Sequence, residues 1–420
     1  MDPAGGHGVA DPCSPTALRT LIGRFDASVS DVRRPGRIRL WVDGDRAWDA
    51  LVDSRGAQLV PADRGKRADA ILGADRATWT KIVRDVRGGM AAFRSGRLTV
   101  RRDLHLGVGF LAATADESRP GRLRFRSVDT DAGSISLMEA GEGPPVLMLH
   151  GLGATKASFL PTVTALADNH RVIAMDLPGF GNSDKPLLGA YDPAFFAAAA
   201  AAVLDALGID RTAVLGNSMG GRAAIELGLR APERVERLVL LAPSLAWLRG
   251  RPWAAPLRLV SPKLGVLQPA PRRLVEGITR RVVPGARENW TAAGVDEFLR
   301  AYLDPRGRAA FYAAARNIYL EEPHGPHGFW SRLGSLQPES LFLWGRQDGL
   351  VPIGFARHVR RVLPGARHVE LDCGHVPQLE APAETHRAVL RFLSDRESAQ
   401  SARRPAAGRR GGRHAGAIAS

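Results

Sequence analysis

Between residues 122 and 395 short β-rich runs alternate with helical stretches, and that alternation constrains the fold more than any other feature of the chain. Pro145–Leu149, Arg171–Met175, Thr212–Leu215, Val235–Leu241, Ser340–Trp344 and Ala366–Leu371 have strand length and composition, and most end at a Gly, His, Asp or Pro. Between two of them the alanine-rich stretch Ala194–Leu207 predicts a helix, with Gly208 as its stop. Strands separated by helices predict a mostly parallel sheet covered on both faces, with chemistry gathered at the carboxyl ends of the strands.

Composition decides among partners and compartments. The 420 residues, 45% hydrophobic and 24% charged, are enough for two or three globular domains. The longest apolar run, Ala194–Leu204, is too short to span a bilayer. The amino-terminal residues lack a basic segment followed by an apolar core, so no secretory signal is expected. With only Cys13 and Cys373, a disulfide scaffold or cysteine metal cluster is excluded, and a reducing, cytoplasmic setting is expected. The net charge of +15 comes from arginines spread along the chain without a nucleic-acid-binding motif, so no nucleic-acid partner is expected. Only the last twenty residues are concentrated, with five arginines and no acid. A weak peripheral contact with an anionic membrane is the one further partner that tail allows. Residues 1–14 and 396–420 are expected to be disordered.

Residues 15–115 read as a separate α+β unit, parted from the rest by the polar ADESRPGR segment. Arg37–Val42 alternates, and an Asp43-Gly44 turn leads into Ala47–Val52, a hairpin pattern. Ala68–Leu72 is a third strand, and Asp75 is placed to cap a helix carrying Trp79, Ile82, Val83 and Val86 on one face. Leu98–Val100 and the alternating Leu104–Phe110 are read as further strands. The run ADAILGADRATWTKIV, with GRLTVRRD beyond it, resembles the second half of the type-2 sterol carrier protein family. Arg102-Asp103 stands where that family usually has Gly-Asp. The resemblance implies an apolar cavity for a sterol, fatty acid or acyl-CoA, and hence a unit that holds or presents lipid; a purely structural appendage is the alternative.

In residues 116–395 the chemistry centres on Gly216-Asn217-Ser218-Met219-Gly220, between the strand Thr212–Leu215 and the helical run Gly221–Arg230. A serine on a sharp strand-to-helix turn presents its hydroxyl, and flanking glycines relieve the crowding. Asp348 follows the strand Ser340–Trp344, and His375 follows Ala366–Leu371. A serine hydroxyl is a poor nucleophile alone; His375 would take its proton, and Asp348 would fix the imidazole tautomer. His150-Gly151-Leu152-Gly153, after Pro145–Leu149, places the Leu152 N–H as one oxyanion donor, and the Met219 N–H is the second. His150 reads as a loop brace, and Asp176–Gly181 as a structural turn. Cys373 reads as a small filler behind His375.

These HG-x-G, D-x-P-G-x-G, G-N-S-M-G-G, Asp and G-H segments together resemble the α/β-hydrolase superfamily. The resemblance implies an α/β-hydrolase fold and a Ser218–His375–Asp348 triad working without metal or organic cofactor. Its carboxylate-nucleophile relatives, epoxide hydrolases and haloalkane dehalogenases, are disfavoured by Ser218. Residues 244–337 are too long for an ordinary connection, and the resemblance implies that such an insertion forms a lid. The lid holds Trp247, Trp253, Trp290, Trp330, Phe298, Phe311, Phe329, Tyr302, Tyr312 and Tyr319, which serve as its own core or wall an apolar cleft. Arg272, Arg273, Arg280 and Arg281 read as a solvated face.

The expected activity is hydrolysis of a hydrophobic, lipid-like carboxylic ester through an acyl-enzyme. Thioester cleavage would use the same residues. One alternative is a lipid-binding or transfer protein with an incidental hydrolase unit. Another is carbon–carbon hydrolysis of ring-fission products, whose enzymes share the GNSMGG string. Those relatives usually carry Trp after the catalytic His, where this chain has Val376, and they need an arginine to orient the substrate. The oligomeric state is left open by the sequence.

Overall fold

The computed structural model describes residues 9–10, 13–32, 34–85, 89–115, 121–246, 261–282 and 289–395. Two sheets organise them. The first consists of β1 (Val9–Ala10), β2 (Gly36–Val42), β3 (Arg46–Asp53), β4 (Gly56–Pro61), β5 (Ala70–Ala74) and β6 (Thr99–Arg101), in the order β1-β4-β3-β2-β5-β6. β2, β3 and β4 form an antiparallel meander, and β5 runs parallel to β2. The expected hairpin turn is present, with Asp43 and Gly44 both at positive φ. Asp75 caps the helix Arg76–Ile82 by accepting the Thr78 N–H at 2.6 Å.

The second sheet has eight strands: β7 (Arg124–Thr130), β8 (Gly133–Ala140), β9 (Pro145–Leu149), β10 (Arg171–Met175), β11 (Thr212–Asn217), β12 (Val235–Leu241), β13 (Glu339–Gly345) and β14 (Arg367–Leu371). Their order is β14-β13-β12-β11-β9-β10-β8-β7, parallel from β14 to β10 and antiparallel in the β8–β7 hairpin. The six apolar runs of the sequence are the six parallel strands. The inner five are rich in apolar residues because both faces are covered, whereas β14 at the sheet edge is only partly buried. In β9, Val146 and Met148 face one buried cluster while Leu147 and Leu149 face the other. The helices Pro193–Ala206 and Met219–Arg230 cover the second face. On the first face the helix Pro382–Ser394 contributes Val389, Phe392 and Leu393 to a buried cluster that also includes residues of the amino-terminal unit.

Two expectations are corrected. The alternating run Leu104–Phe110 is not a strand but the start of a helix, Leu104–Ala113. Asp103 caps it by accepting the Leu106 N–H at 2.8 Å. The helix is buried nearly all round, so its sequence satisfies a two-residue and a helical period together. The expected disorder of residues 1–14 is corrected in part: Val9–Ala10 pair in parallel with Gln58 and Leu59. Residues 396–420 lie outside the described residues.

The connection between β12 and β13, where a lid is expected, carries the helices Arg272–Val282, Asn289–Leu303, Pro305–Leu320 and Phe329–Leu333. Trp247 and Trp253 lie outside the described residues, as do the side chains of Trp290, Tyr319, Arg280 and Arg281. Arg272 and Arg273 are exposed. Among the described residues no helix is long and apolar enough to cross a membrane.

Candidate active site

Ser218 stands between β11 and the helix Met219–Arg230 with φ 52° and ψ −115°, a conformation rare for a non-glycine residue. The turn is held by its backbone: the Ser218 N–H donates to Leu241 O at 3.0 Å, and its carbonyl accepts from Ser244 and Arg222. So tight an elbow leaves no room for side chains at its flanks. A Cβ at Gly216 would lie 2.4 Å from Gly220 O, and one at Gly220 would lie 2.0 Å from Leu149 O.

His375 lies in the loop after β14, and its Nε2 is 2.8 Å from Ser218 Oγ. Its Nδ1 is 2.7 Å from Asp348 Oδ2, in the loop after β13. The other Asp348 oxygen accepts the Leu350 and Val351 N–H groups at 2.7 and 2.9 Å, so that carboxylate is buried and aimed. The structure therefore brings together the three residues expected from sequence. Leu152 lines the same cleft as Ser218. Met219 opens its helix, so its N–H has no carbonyl within the helix to bond. His150 is wholly buried: Nδ1 donates to Gly151 O at 2.8 Å, and Nε2 accepts the Leu177 N–H at 3.0 Å. Burial lowers its pKa and holds it neutral, which suits a brace.

Behind that loop Asp176 accepts from Lys156 Nζ at 2.6 Å and from the Lys156 and Asn182 N–H groups. Burial opposes ionisation there, but the Lys156 ammonium and these donors hold the carboxyl far below its ordinary range. The Asp176 turn is structural, as expected. Cys373 is buried, with its thiol pushed up to about 11 by burial and nearby carboxylates, which suits a filler.

Three residues at the site were given no role by the sequence. Glu380 accepts the Gly374 N–H at 2.6 Å and the Val376 N–H at 2.8 Å, clasping the His375 loop from both sides. Asn217 Nδ2 donates to His375 O at 3.2 Å. Glu297, on the lid helix Asn289–Leu303, lines the cleft and is paired with Arg300 at 2.7 Å. Burial raises its pKa against the pull of that arginine. Glu380 and Glu297 belong to no local motif and are brought in by chain that returns from elsewhere, whereas Asn217 sits beside Ser218 in the GNSMGG string and meets the His375 loop only through the fold.

The cleft has a volume of about 520 Å³. Leu104, Leu152, Ala157, Phe298, Phe311, Ile318, Leu350, Val376 and Leu379 make most of its wall. Among the described lining residues Glu297 and His375 are the titratable groups, and none is a lysine or arginine. Phe298 stacks on Tyr302 and Phe311 meets both rings edge-on, so these aromatics are at once core of the insertion and cleft wall.

A parallel sheet with a serine elbow after its fifth strand, and an acid and a histidine after its last two, defines an α/β-fold hydrolase. The chain belongs to the alpha/beta hydrolase fold family, which matches residues 144–382. It is 30% identical over 273 residues to a 2-hydroxy-6-oxo-6-phenylhexa-2,4-dienoate hydrolase of Comamonas testosteroni, covering 62% of this chain and 92% of that protein. It is 30% identical over 295 residues to a 2-hydroxymuconate semialdehyde hydrolase of Pseudomonas putida, covering 63% of this chain and 92% of that protein. Among solved structures it resembles a thermophilic esterase from Thermogutta terrifontis, with a TM-score of 0.53 and 26% identity over 64% of this chain and 98% of that one. The protein is an enzyme, a hydrolase.

Proposed function

We propose that the enzyme hydrolyses an uncharged, hydrophobic carboxylic ester through Ser218, His375 and Asp348. The observation that carries this reading is the cleft over Ser218, apolar on most of its wall and without a described cation. His375 Nε2 takes the Ser218 proton as Oγ attacks the acyl carbon, and Asp348 at Nδ1 stabilises the imidazolium. The Leu152 and Met219 N–H groups receive the oxyanion, and His375 then protonates the departing alcohol. Water enters by the same route in reverse and frees the acid. Ser218→Ala is expected to abolish turnover of p-nitrophenyl esters with an unchanged melting temperature; undiminished turnover would overturn the assignment.

The sequence relatives favour a second reading, carbon–carbon hydrolysis of a ring-fission product, and at 30% identity they support it more directly than they support ester cleavage. Against it, a dienoate carries a carboxylate, which in this cleft would meet Glu297 and no described arginine or lysine. Assaying 2-hydroxy-6-oxo-6-phenylhexa-2,4-dienoate beside the ester series separates the two: the ester reading fails if the dienoate has the higher kcat/KM.

The amino-terminal unit is proposed to serve the same substrate, on the strength of its resemblance to sterol carriers. Its interior is filled by Leu18, Leu21, Ile22, Trp79, Phe93 and Phe110, so the resemblance alone supports a lipid cavity there.

A further inference from the structure

We propose that the amino-terminal unit is a built-in part of the acyl cleft: Leu104 sets the acyl length the cleft admits, and Arg101 and Arg102 fix the lid helix that closes over it. This inference rests on the hydrolase reading above.

Leu104 belongs to the amino-terminal unit yet lines the cleft together with Ser218 and His375. It is almost fully buried, beside Ala157 and Glu297, and stands between the cleft and a narrow crevice walled by Phe125 and Met138. An apolar side chain at a cleft wall discriminates between ligands by the space it fills.

The lid helix Asn289–Leu303 supplies Gly294, Glu297 and Phe298 to the same cleft. Between those residues, Asp296 points to the amino-terminal unit. Arg101 meets it in two-pronged fashion, Nε at 2.7 Å and Nη2 at 3.3 Å, and the Arg102 N–H donates to it at 2.9 Å. The Asp296 carboxylate is 5% exposed, so the pairing is not a loose surface contact. One turn on, Arg300 holds Glu297 and lies 3.9 Å from Asp103.

The backbone shows that this contact is built at a cost. Arg102 adopts φ 74°, a conformation that glycine takes freely and an arginine does not. That turn aims the Arg102 N–H at Asp296 and starts the Leu104 helix, while its guanidinium anchors on Ala68 O. Strain, a lid tie and a cleft wall thus coincide within four consecutive residues.

The test uses the full chain with p-nitrophenyl esters from acetate to palmitate. Leu104→Ala is expected to raise the long-to-short ratio of kcat/KM by about tenfold, and Leu104→Phe to lower it comparably. Asp296→Asn and Arg101→Met are expected to raise KM for long esters several-fold with a smaller change in kcat, and Arg101→Lys to restore much of the loss. Unchanged length profiles in Leu104 variants that melt like wild type would overturn the cleft role. Equal loss of kcat and KM performance across all chain lengths would reduce the arginine contact to a structural one. Should the wild type cleave no ester, the rate of Ser218 labelling by short and long alkyl fluorophosphonates reads the same cleft dimension. In that case the ester reading fails, while a length shift in the Leu104 variants still supports the inference.

Discussion

Glu380 shows how much of a catalytic geometry sits in residues that never touch a substrate. Its carboxylate accepts the N–H groups on either side of His375, and so fixes the loop that aims Nε2 at Ser218. Replacing it by Gln keeps one acceptor and removes the charge, which roughly halves the strength of such a bond. Glu380→Gln is therefore expected to lower kcat by about tenfold, close to 1.4 kcal/mol of barrier, with KM little changed. Steady-state kinetics beside a thermal melt checks this, and an unchanged kcat would show that Asp348 and Asn217 suffice to hold the ring. Ser218, Asp348 and His375 were legible in the sequence because each follows directly on a strand the apolar pattern reveals. Glu380, Asn217 and Glu297 were not, because their roles depend on where the backbone returns in space.

At the scale of elements, the inner parallel strands could be read from composition because burial on both faces leaves a mostly apolar run, while β14 at the sheet edge is only partly buried. The helix Leu104–Ala113 could not, since a segment buried all round carries no single period. β14 carries a further consequence of burial. His368 stacks on Phe342 and Trp344, and its Nδ1 accepts the Trp344 indole N–H at 3.0 Å. Burial, with Arg360 adding to it, lowers its pKa to about 4. Protonation would put a charge into the stack and turn that acceptor into a donor. The unfolded chain, with an ordinary histidine near 6.5, binds the proton first, so stability is complete above about pH 6.5 and falls as pH drops towards 4. With His368 only partly buried, the loss is expected to be about 1–2 kcal/mol. Urea melts at pH 7, 5.5 and 4.5 measure it, and His368→Gln is expected to flatten that part of the profile.

For the whole molecule the question is whether the two sheets are two folding units. The sequence divides them at a polar segment, yet one buried cluster runs from Leu18, Leu21 and Phe110 through Leu123 and Phe125 to Val146, Met148 and Val389. Arg122, just past the division, donates to the carbonyls of Ala112 and Ala113 at 3.0 and 2.9 Å. Asp31 accepts the hydroxyls of Ser127 and Ser136 across the junction, and His105 meets the Phe125 ring edge-on at 4.9 Å. A chain cut to residues 121–395 would uncover Phe125, Met138 and Leu160, which face Leu104, His105 and Val108 across a narrow crevice. Uncovering three such side chains costs about 5 kcal/mol, against a typical domain stability of about 5–15 kcal/mol. The fragment is therefore expected to be insoluble or to melt at least about 10 °C below the full chain, which itself should unfold in one calorimetric transition. A fragment that melts with the full chain would show the shared cluster to be dispensable. The same argument bears on how substrate presentation can be tested. Deleting the amino-terminal unit removes part of the core and, with Leu104, part of the cleft wall, so lost activity in a truncated enzyme would not distinguish lipid delivery from collapse. Point changes at Leu104, Arg101 and Asp296 leave the junction in place and keep the two apart.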